Sequence, residues 1–342
     1  MKMPNNLNAA VASLTAIALL ACWGCGKPTT SPPNPSGKAT KLVATHSIGL
    51  CNLIMFVEVE KQMARDLGAE VELKFIPNPG DHAAALASGT VDVAVTPFSN
   101  VLSARGNGAP IKIISGCGLN GLYIVTQPEI DDWKKLAGKK IGTFRSDTLE
   151  VMAYDAMKKA GFKAHDFQLV YFTDPFEFIQ AFRAKRLDAI TLVEPYVTQL
   201  VTEGKGRVLA KGQDVWGGTH PDCVLVASQA AIKDKREALK SLIAGLLKAE
   251  AMIETNMPAA TALCATKYYK STEADIAMAA SSQPPGVDIR DQQRFIMNRG
   301  SSLLELGYLK HPADTNLFDF SMLTEVIKEH PEIYSQVAVK AK

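Results

Sequence analysis

Two stretches of the chain carry the same alternation of apolar and polar positions. In residues 85–99 a helix end closing on Ser88-Gly89 is followed by the pair Val91-Asp92, the apolar run Val93-Ala94-Val95, and a turn through Pro97 into a new helix. Residues 181–196 repeat the order with Leu187-Asp188, the run Ala189-Ile190-Thr191-Leu192-Val193, and a turn through Pro195. Short apolar runs bounded by turn signals predict strands buried on both faces. Asp92 and Asp188 lie 96 positions apart. That spacing is far too long for a solenoid repeat, so it predicts two similar β-α-β-α-β halves and hence two α/β lobes.

The flanking segments repeat as well. Residues 41–45 and 139–144 read as strands running into polar turns and helices. Those helices end near Gly68 and Gly161, where a left-handed C-cap is expected. Strands at 71–76 and 167–172 follow them. Further strands are expected at 111–115, 122–126, 207–210 and 223–227. Asp147-Thr148-Leu149-Glu150 has the spacing of a capping box, and Pro175 and Pro195 suit helix starts. From residue 231 the pattern turns helical. Leu239, Leu242, Ile243, Leu246 and Leu247 form one apolar stripe at helical spacing. Pro258 opens another helix and residues 289–306 a third, and these helices are expected to brace lobe one. Lobe one is then 41–126 plus 223–342, and lobe two 127–222.

Residues 1–40 do not belong to this pattern. Lys2 precedes an apolar run over residues 9–21 that is interrupted only by Ser13 and Thr15. The run is short for a bilayer span and suits the core of a signal peptide over 1–22. It ends Leu19-Leu20-Ala21-Cys22, which resembles a bacterial lipobox and would make Cys22 the lipid-modified residue. Residues 23–40, with Pro28, Pro32, Pro33 and Pro35, read as an extended tether. At 342 residues the chain has room for two cored lobes, and a net charge of +2 gives no field for nucleic acid. No phosphate-loop, dinucleotide or zinc-finger spacing occurs, and no cofactor is expected.

The lipobox, the strand–polar-turn–helix start, the stretch Ala85-Leu86-x-x-Gly89-x-x-Asp92 and the stretch Asp188-Ala189-x4-Glu194-Pro195-Tyr196 together resemble substrate-binding lipoproteins of bacterial ABC importers. The likeness is to the nitrate/sulfonate/taurine branch, which includes binders of thiamine-pyrimidine precursors, and it runs from residue 41 to about 309. It implies an α/β, two-lobed periplasmic-binding-protein fold of type II, with a ligand cleft between lobes joined by two crossing strands. It also implies a monomeric receptor that is not an enzyme, is anchored outside the cytoplasm, captures a small polar or anionic organic solute (a sulfonate or taurine, nitrate, or a pyrimidine precursor) by hinge closure, and hands it to an ABC permease. Members of this branch usually carry Trp before the Glu; here Val193 stands in its place.

Ligands of open α/β sheets sit beyond the carboxyl ends of the strands, facing helix N-termini. This places Ser47, Gly49, Cys51 and Asn52 at the cleft from the first turn, and Thr96, Phe98 and Ser99 from a second. Cys117 and Gly118 come from a third, and Ser146, Thr148 and Glu194 answer from lobe two. Helix capping is the alternative role for each Ser and Thr. Glu194 points to a ligand with a donor group, such as taurine or an aminopyrimidine; its alternatives are a helix cap or a hinge ion pair. Trp216 and His220 lie in the Gly-rich crossover 216–221, where they cover the ligand or simply pack. Beyond Cys22 and Cys25, four cysteines remain: Cys51, Cys117, Cys223 and Cys264. They admit three full pairings. A soft-metal site of Cys51 and Cys117 with His46 or His82 is the rarer reading beside plain buried thiols. An enzyme on the same fold, or a sensing lobe for a membrane partner, is the rival to the receptor.

Overall fold

The computed structural model describes residues 39–338 and 340–341. The signal segment, Cys22 and most of the tether therefore lie outside the described residues. Among the described residues no helix is long and apolar enough to cross a membrane. The strands are β1 (Thr40–His46), β2 (Ala69–Phe75), β3 (Val93–Pro97), β4 (Ile111–Gly116), β5 (Leu122–Thr126), β6 (Lys140–Thr143), β7 (Gln168–Tyr171), β8 (Ala189–Val193), β9 (Arg207–Lys211) and β10 (Cys223–Ser228). They build two five-stranded sheets, ordered β2-β1-β3-β10-β4 and β7-β6-β8-β5-β9.

The two sheets are copies of one plan. Strand β1 pairs parallel with β2 and β3, as β6 does with β7 and β8. A single antiparallel strand then joins each set: β10 beside β3 in the first sheet and β5 beside β8 in the second. Each half thus lends one strand to the other's sheet. Residues 122–126, expected to close lobe one, belong to the second sheet, so the outgoing crossover lies at 117–121.

The repeated apolar–Asp pair has a structural origin. Val43 N–H donates to Asp92 Oδ2 at 2.8 Å while Asp92 N–H donates to Val43 O at 2.8 Å. In the second half Lys140 N–H donates to Asp188 Oδ2 at 2.9 Å and Asp188 N–H to Lys140 O at 3.0 Å. Each carboxylate satisfies a backbone donor where the two parallel strands part company.

Side chains alternate faces along each strand. Val93, Val95, Leu225 and Ala227 face a core built on the helices Leu53–Lys61 and Arg236–Thr255, whereas Ala94, Val224 and Val226 face a second core with the helices Asp81–Ala87 and Phe98–Gly106. The stripe of Arg236–Thr255 is fully buried at Leu239, Leu242, Ile243, Leu246 and Leu247. The helix expected over 289–306 is a 3-10 turn, Arg290–Gln292, followed by the helices Gln293–Asn298 and Gly300–Glu305. The helix expected to open at Pro258 is Met257–Cys264, and Glu273–Ser282, Ser321–Glu329 and Pro331–Tyr334 are further helices of this region.

The C-terminal helices do more than brace lobe one, because they also reach lobe two. Asp155, on the helix Thr148–Lys159, accepts from Ser302 Oγ at 2.6 Å and from Arg299 Nη1 at 3.0 Å. Glu305 pairs with Lys158 at 2.7 Å, and Tyr308 donates to Glu150 at 3.1 Å.

Candidate functional site

The chain crosses between the sheets twice, and the crossovers pair with each other. Asn120 N–H donates to His220 O at 2.8 Å and Asp222 N–H to Gly118 O at 2.9 Å. Beside them a cavity of about 50 Å³ is lined from both lobes. Its walls come from where the branch topology predicts, beyond the ends of β1, β3, β6 and β8. Ser47, Gly49, Cys51 and Asn52 contribute from the turn after β1, as expected. Asp147 and Leu149 open the helix after β6, and Asp222 and Cys223 lead into β10. Ile48, Val95, Phe144, Phe178, Leu192 and Val193 are among the apolar walls.

The polar lining sets two buried carboxyls beside the Ser47 hydroxyl, the Asn52 amide and the thiols of Cys51 and Cys223. Asp147 and Asp222 are each 2 % exposed, and no Lys, Arg or His lines the space. Burial pushes the Asp147 carboxyl up to about 7, against the pull of Leu149 N–H, which donates to Oδ1 at 2.9 Å. Burial likewise pushes Asp222 up to about 6, opposed by donors from Cys51, Gln283 and Cys223. Asn52 donates through Nδ2 to Gly49 O at 2.9 Å, which leaves its buried Oδ1 without a protein partner. Desolvation raises Cys51 to about 12 and lifts Cys223 well above the ordinary thiol range.

The remaining sequence-derived candidates lie around this cavity and do not line it. Thr96 is buried between two lining residues, Val95 and Pro97, and its Oγ1 has no protein partner. Phe98 is packed in the core against Phe295. Ser99 caps nothing: its Oγ donates to Ser146 O at 2.8 Å and meets Thr148 Oγ1 at 3.1 Å, so these three join lobe to lobe. Ser146 has φ +59°, and its N–H donates to Glu150 Oε2 at 2.6 Å. The expected capping box is therefore split, with Asp147 taking Leu149 N–H and Glu150 reaching one residue further back. Glu194 takes the helix-cap role, accepting from Thr198 N–H at 3.0 Å, and its carbonyl accepts from Leu50 N–H at 2.8 Å. Burial raises its pKa, countered by Thr198 and Tyr123. Trp216 and His220 pack edge to face at 4.8 Å, with Trp216 Nε1 donating to Asp155 at 2.8 Å. Cys117 and Gly118 line a separate small recess with Cys51 and Gln283.

The grouping of Cys51 and Cys117 with His46 or His82 does not form. His82 bonds Thr45 Oγ1 at 2.7 Å and Ile76 O at 3.1 Å, and its pKa falls to about 4 through burial. The His46 ring meets Ser47 O and the edge of Phe56. Among the described residues the one tight cluster of metal-ligating types is Cys51, Asp222 and Cys223, whose ligand atoms lie within 4.8 Å of one another. Neither acid of the cavity was singled out as a ligand contact from sequence. Asp147 reads as a helix cap, and Asp222 has no local signal beyond following the Gly-Pro crossover.

Comparison with known proteins agrees with this geometry. The pattern of the NMT1-like family matches residues 43–267. A Brucella abortus (strain 2308) protein named for a binding role is 25 % identical over 263 residues, covering 76 % of this chain and 80 % of that one. The nitrate-binding protein NrtA of Synechocystis PCC 6803 superposes with a TM-score of 0.76 at 14 % identity, over 89 % of this chain and 92 % of its own. The aliphatic sulphonate-binding protein SsuA of Escherichia coli superposes with a TM-score of 0.69 at 18 % identity, over 81 % and 91 %. The chain belongs to the NMT1-like family, and its fold is the two-lobed α/β fold of the periplasmic nitrate- and sulfonate-binding proteins.

Proposed function

We propose that this chain is the extracytoplasmic solute-binding component of an ABC importer, anchored through a lipid on Cys22, monomeric, and without catalytic activity. The observation that carries the reading is the cavity lined from both lobes and closed over by lobe-to-lobe hydrogen bonds at Ser99, Leu50 and Asp155. A solute that touches both walls only in the closed state draws the population towards closure, and the permease reads the closed surface. The fold of the nitrate and sulfonate receptors and the family membership support the reading. An enzyme built on Cys51 would need a thiolate, and a thiol held near 12 supplies almost none.

The lining narrows the solute class. Two buried carboxyls with no basic side chain suit a small organic solute that brings N–H donors or a positive charge, such as an aminopyrimidine or an amine. Nitrate and simple sulfonates bring only acceptors and would face Asp147 and Asp222 at a cost. The test is calorimetric titration of the full chain with an aminopyrimidine, taurine, methanesulfonate and nitrate. Binding of an N–H-bearing solute that weakens tenfold or more in Asp147→Asn is expected. Tight binding of nitrate or methanesulfonate, unchanged in that variant, overturns the solute class. Binding of none, with turnover of any, overturns the receptor.

A further inference from the structure

We propose that Cys51 and Cys223 form a disulfide across the floor of the cleft. The two residues are 172 positions apart, yet their sulfurs lie 2.6 Å from each other, and both line the cavity. A formed bond measures ~2.05 Å, so closing it asks for roughly half an ångström of side-chain movement. Cys51 sits in the 3-10 turn Leu50–Asn52 and Cys223 is the first residue of β10. Both positions are tied to regular structure, so the pair is presented by the fold and not by a chance of loop conformation. Of the other two described cysteines, Cys117 shares the small recess with Cys51 and donates its N–H to Cys223 O at 3.2 Å, yet the sulfur that meets Cys51 is that of Cys223; Cys264 is buried at the end of the helix Met257–Cys264. Of the pairs that four cysteines allow, this one has its sulfurs in contact, and no full pairing is needed.

Burial holds both thiols protonated where they stand, so oxidation requires their exposure to water. Cys51 donates towards the Cys223 sulfur, and Cys223 donates to Asp222 Oδ1 at 3.6 Å, which sets a buried proton acceptor at one end of the thiol chain. The oxidant is a small disulfide such as oxidised glutathione. One cysteine, as thiolate, attacks a sulfur of the oxidant and expels the first thiol. The second, as thiolate, then attacks the mixed disulfide and expels the other. Two protein thiols give up two electrons and two protons, and one small disulfide becomes two small thiols. Cys51 is 3 % and Cys223 6 % exposed in the closed form, so the reaction belongs to the open form, and a closed cleft protects the pair.

Two consequences follow. The bond would tie the turn that carries Leu50, whose N–H reaches Glu194 O in lobe two, to the strand returning from the hinge. It would also remove the Cys223 S–H donor from Asp222, leaving Gln283 Nε2, at 2.6 Å, as its side-chain donor and freeing carboxylate oxygen towards the cavity. Only this second consequence rests on the receptor reading; the bond does not.

The test uses the full chain, treated with oxidised glutathione both natively and during refolding from denaturant. Free thiols are then alkylated and the protein mapped without reduction. A peptide joining Cys51 to Cys223 is expected, with Cys117 and Cys264 alkylated. Reduction should lower Tm by roughly 5–10 °C. Cys51→Ser and Cys223→Ser should each melt near the reduced protein and ignore reductant. Alkylation of both cysteines after either treatment, or pairing of either with Cys117, overturns the proposal. So does a pair shielded by a zinc ion that a chelator removes.

Discussion

Replacing Asp155 by Asn should open the molecule without unfolding it. The carboxylate collects three donors: Ser302 Oγ at 2.6 Å, Trp216 Nε1 at 2.8 Å and Arg299 Nη1 at 3.0 Å. The first and third come from C-terminal helices whose Ile296 and Leu303 pack into the core of the first sheet, whereas Asp155 rides on a helix of the second lobe. The side chains of Arg299 and Asp155 are 22 % and 15 % exposed, so solvent screens the pair only in part. Hydrogen bonds to a charged group contribute about 1.5–3 kcal/mol. Asn keeps the shape, loses the charge, and turns an N–H₂ towards one of the donors. The loss falls on the closed state, because opening returns Asp155 and Arg299 to water. The closed-to-open ratio should then drop roughly 10- to 150-fold. Small-angle scattering of the solute-free protein should show a larger radius of gyration, and Trp216 emission should shift red as its N–H gains water. Far-UV circular dichroism serves as the control for folding. An unchanged radius and emission, together with a lowered Tm, would mean that the carboxylate stabilises one lobe internally, and the latch assignment would fail.

Other perturbations test other links in the argument. Asp147 holds its proton up to about 7 in the fold, so between the unfolded carboxylate range and pH 7 the native state binds more protons than the unfolded one. The Asp147 contribution to stability must therefore fall as pH rises through that window and level off above it. Asp147→Asn should flatten the melting profile between pH 5 and 8 only in part, because Asp222 (about 6), Glu58 (about 7) and Glu250 (about 8) titrate with the same sign and His82 and His220 (both about 4) with the opposite one; a profile identical to wild type refutes the burial argument. Leu246→Ala removes a fully buried side chain from the helix Arg236–Thr255 and should cost about 2–5 kcal/mol in denaturant unfolding. A cost below 1 kcal/mol would mean the stripe is not core. Gly121 stands at the crossover with φ +79°, and an added Cβ would overlap the Gln283 side chain that holds Asp222. Gly121→Ala should lower stability by roughly 1–3 kcal/mol, and a neutral result would show that the crossover tolerates a different path.

Much of the scaffold was legible in the chain. All ten expected strands are present with ends shifted by a residue or two, because a short apolar run between turn signals has few ways to bury itself. The doubled apolar–Asp pair was a true mark of the repeat, since Asp92 and Asp188 make the same reciprocal bonds with Val43 and Lys140. Part of the site was legible too. Ser47, Gly49, Cys51 and Asn52 follow β1 directly, and a turn at the carboxyl end of a central strand can hardly avoid the cleft.

What the chain alone determined, then, is the set of elements and the two-fold plan, because local periodicity and turn chemistry are nearest-neighbour properties. Only the tertiary structure decided which sheet receives β5, since an apolar strand carries no label for its partner. It alone brought Asp222 to the cavity, through the antiparallel pairing of residues 117–121 with the return crossover. It alone sent Ser99 across to Thr148 and Glu194 back onto its own helix, two polar groups whose local signals read alike. And it alone brought the sulfurs of Cys51 and Cys223 together, because a contact across 172 residues exists only once β10 has returned from the second lobe to the first sheet.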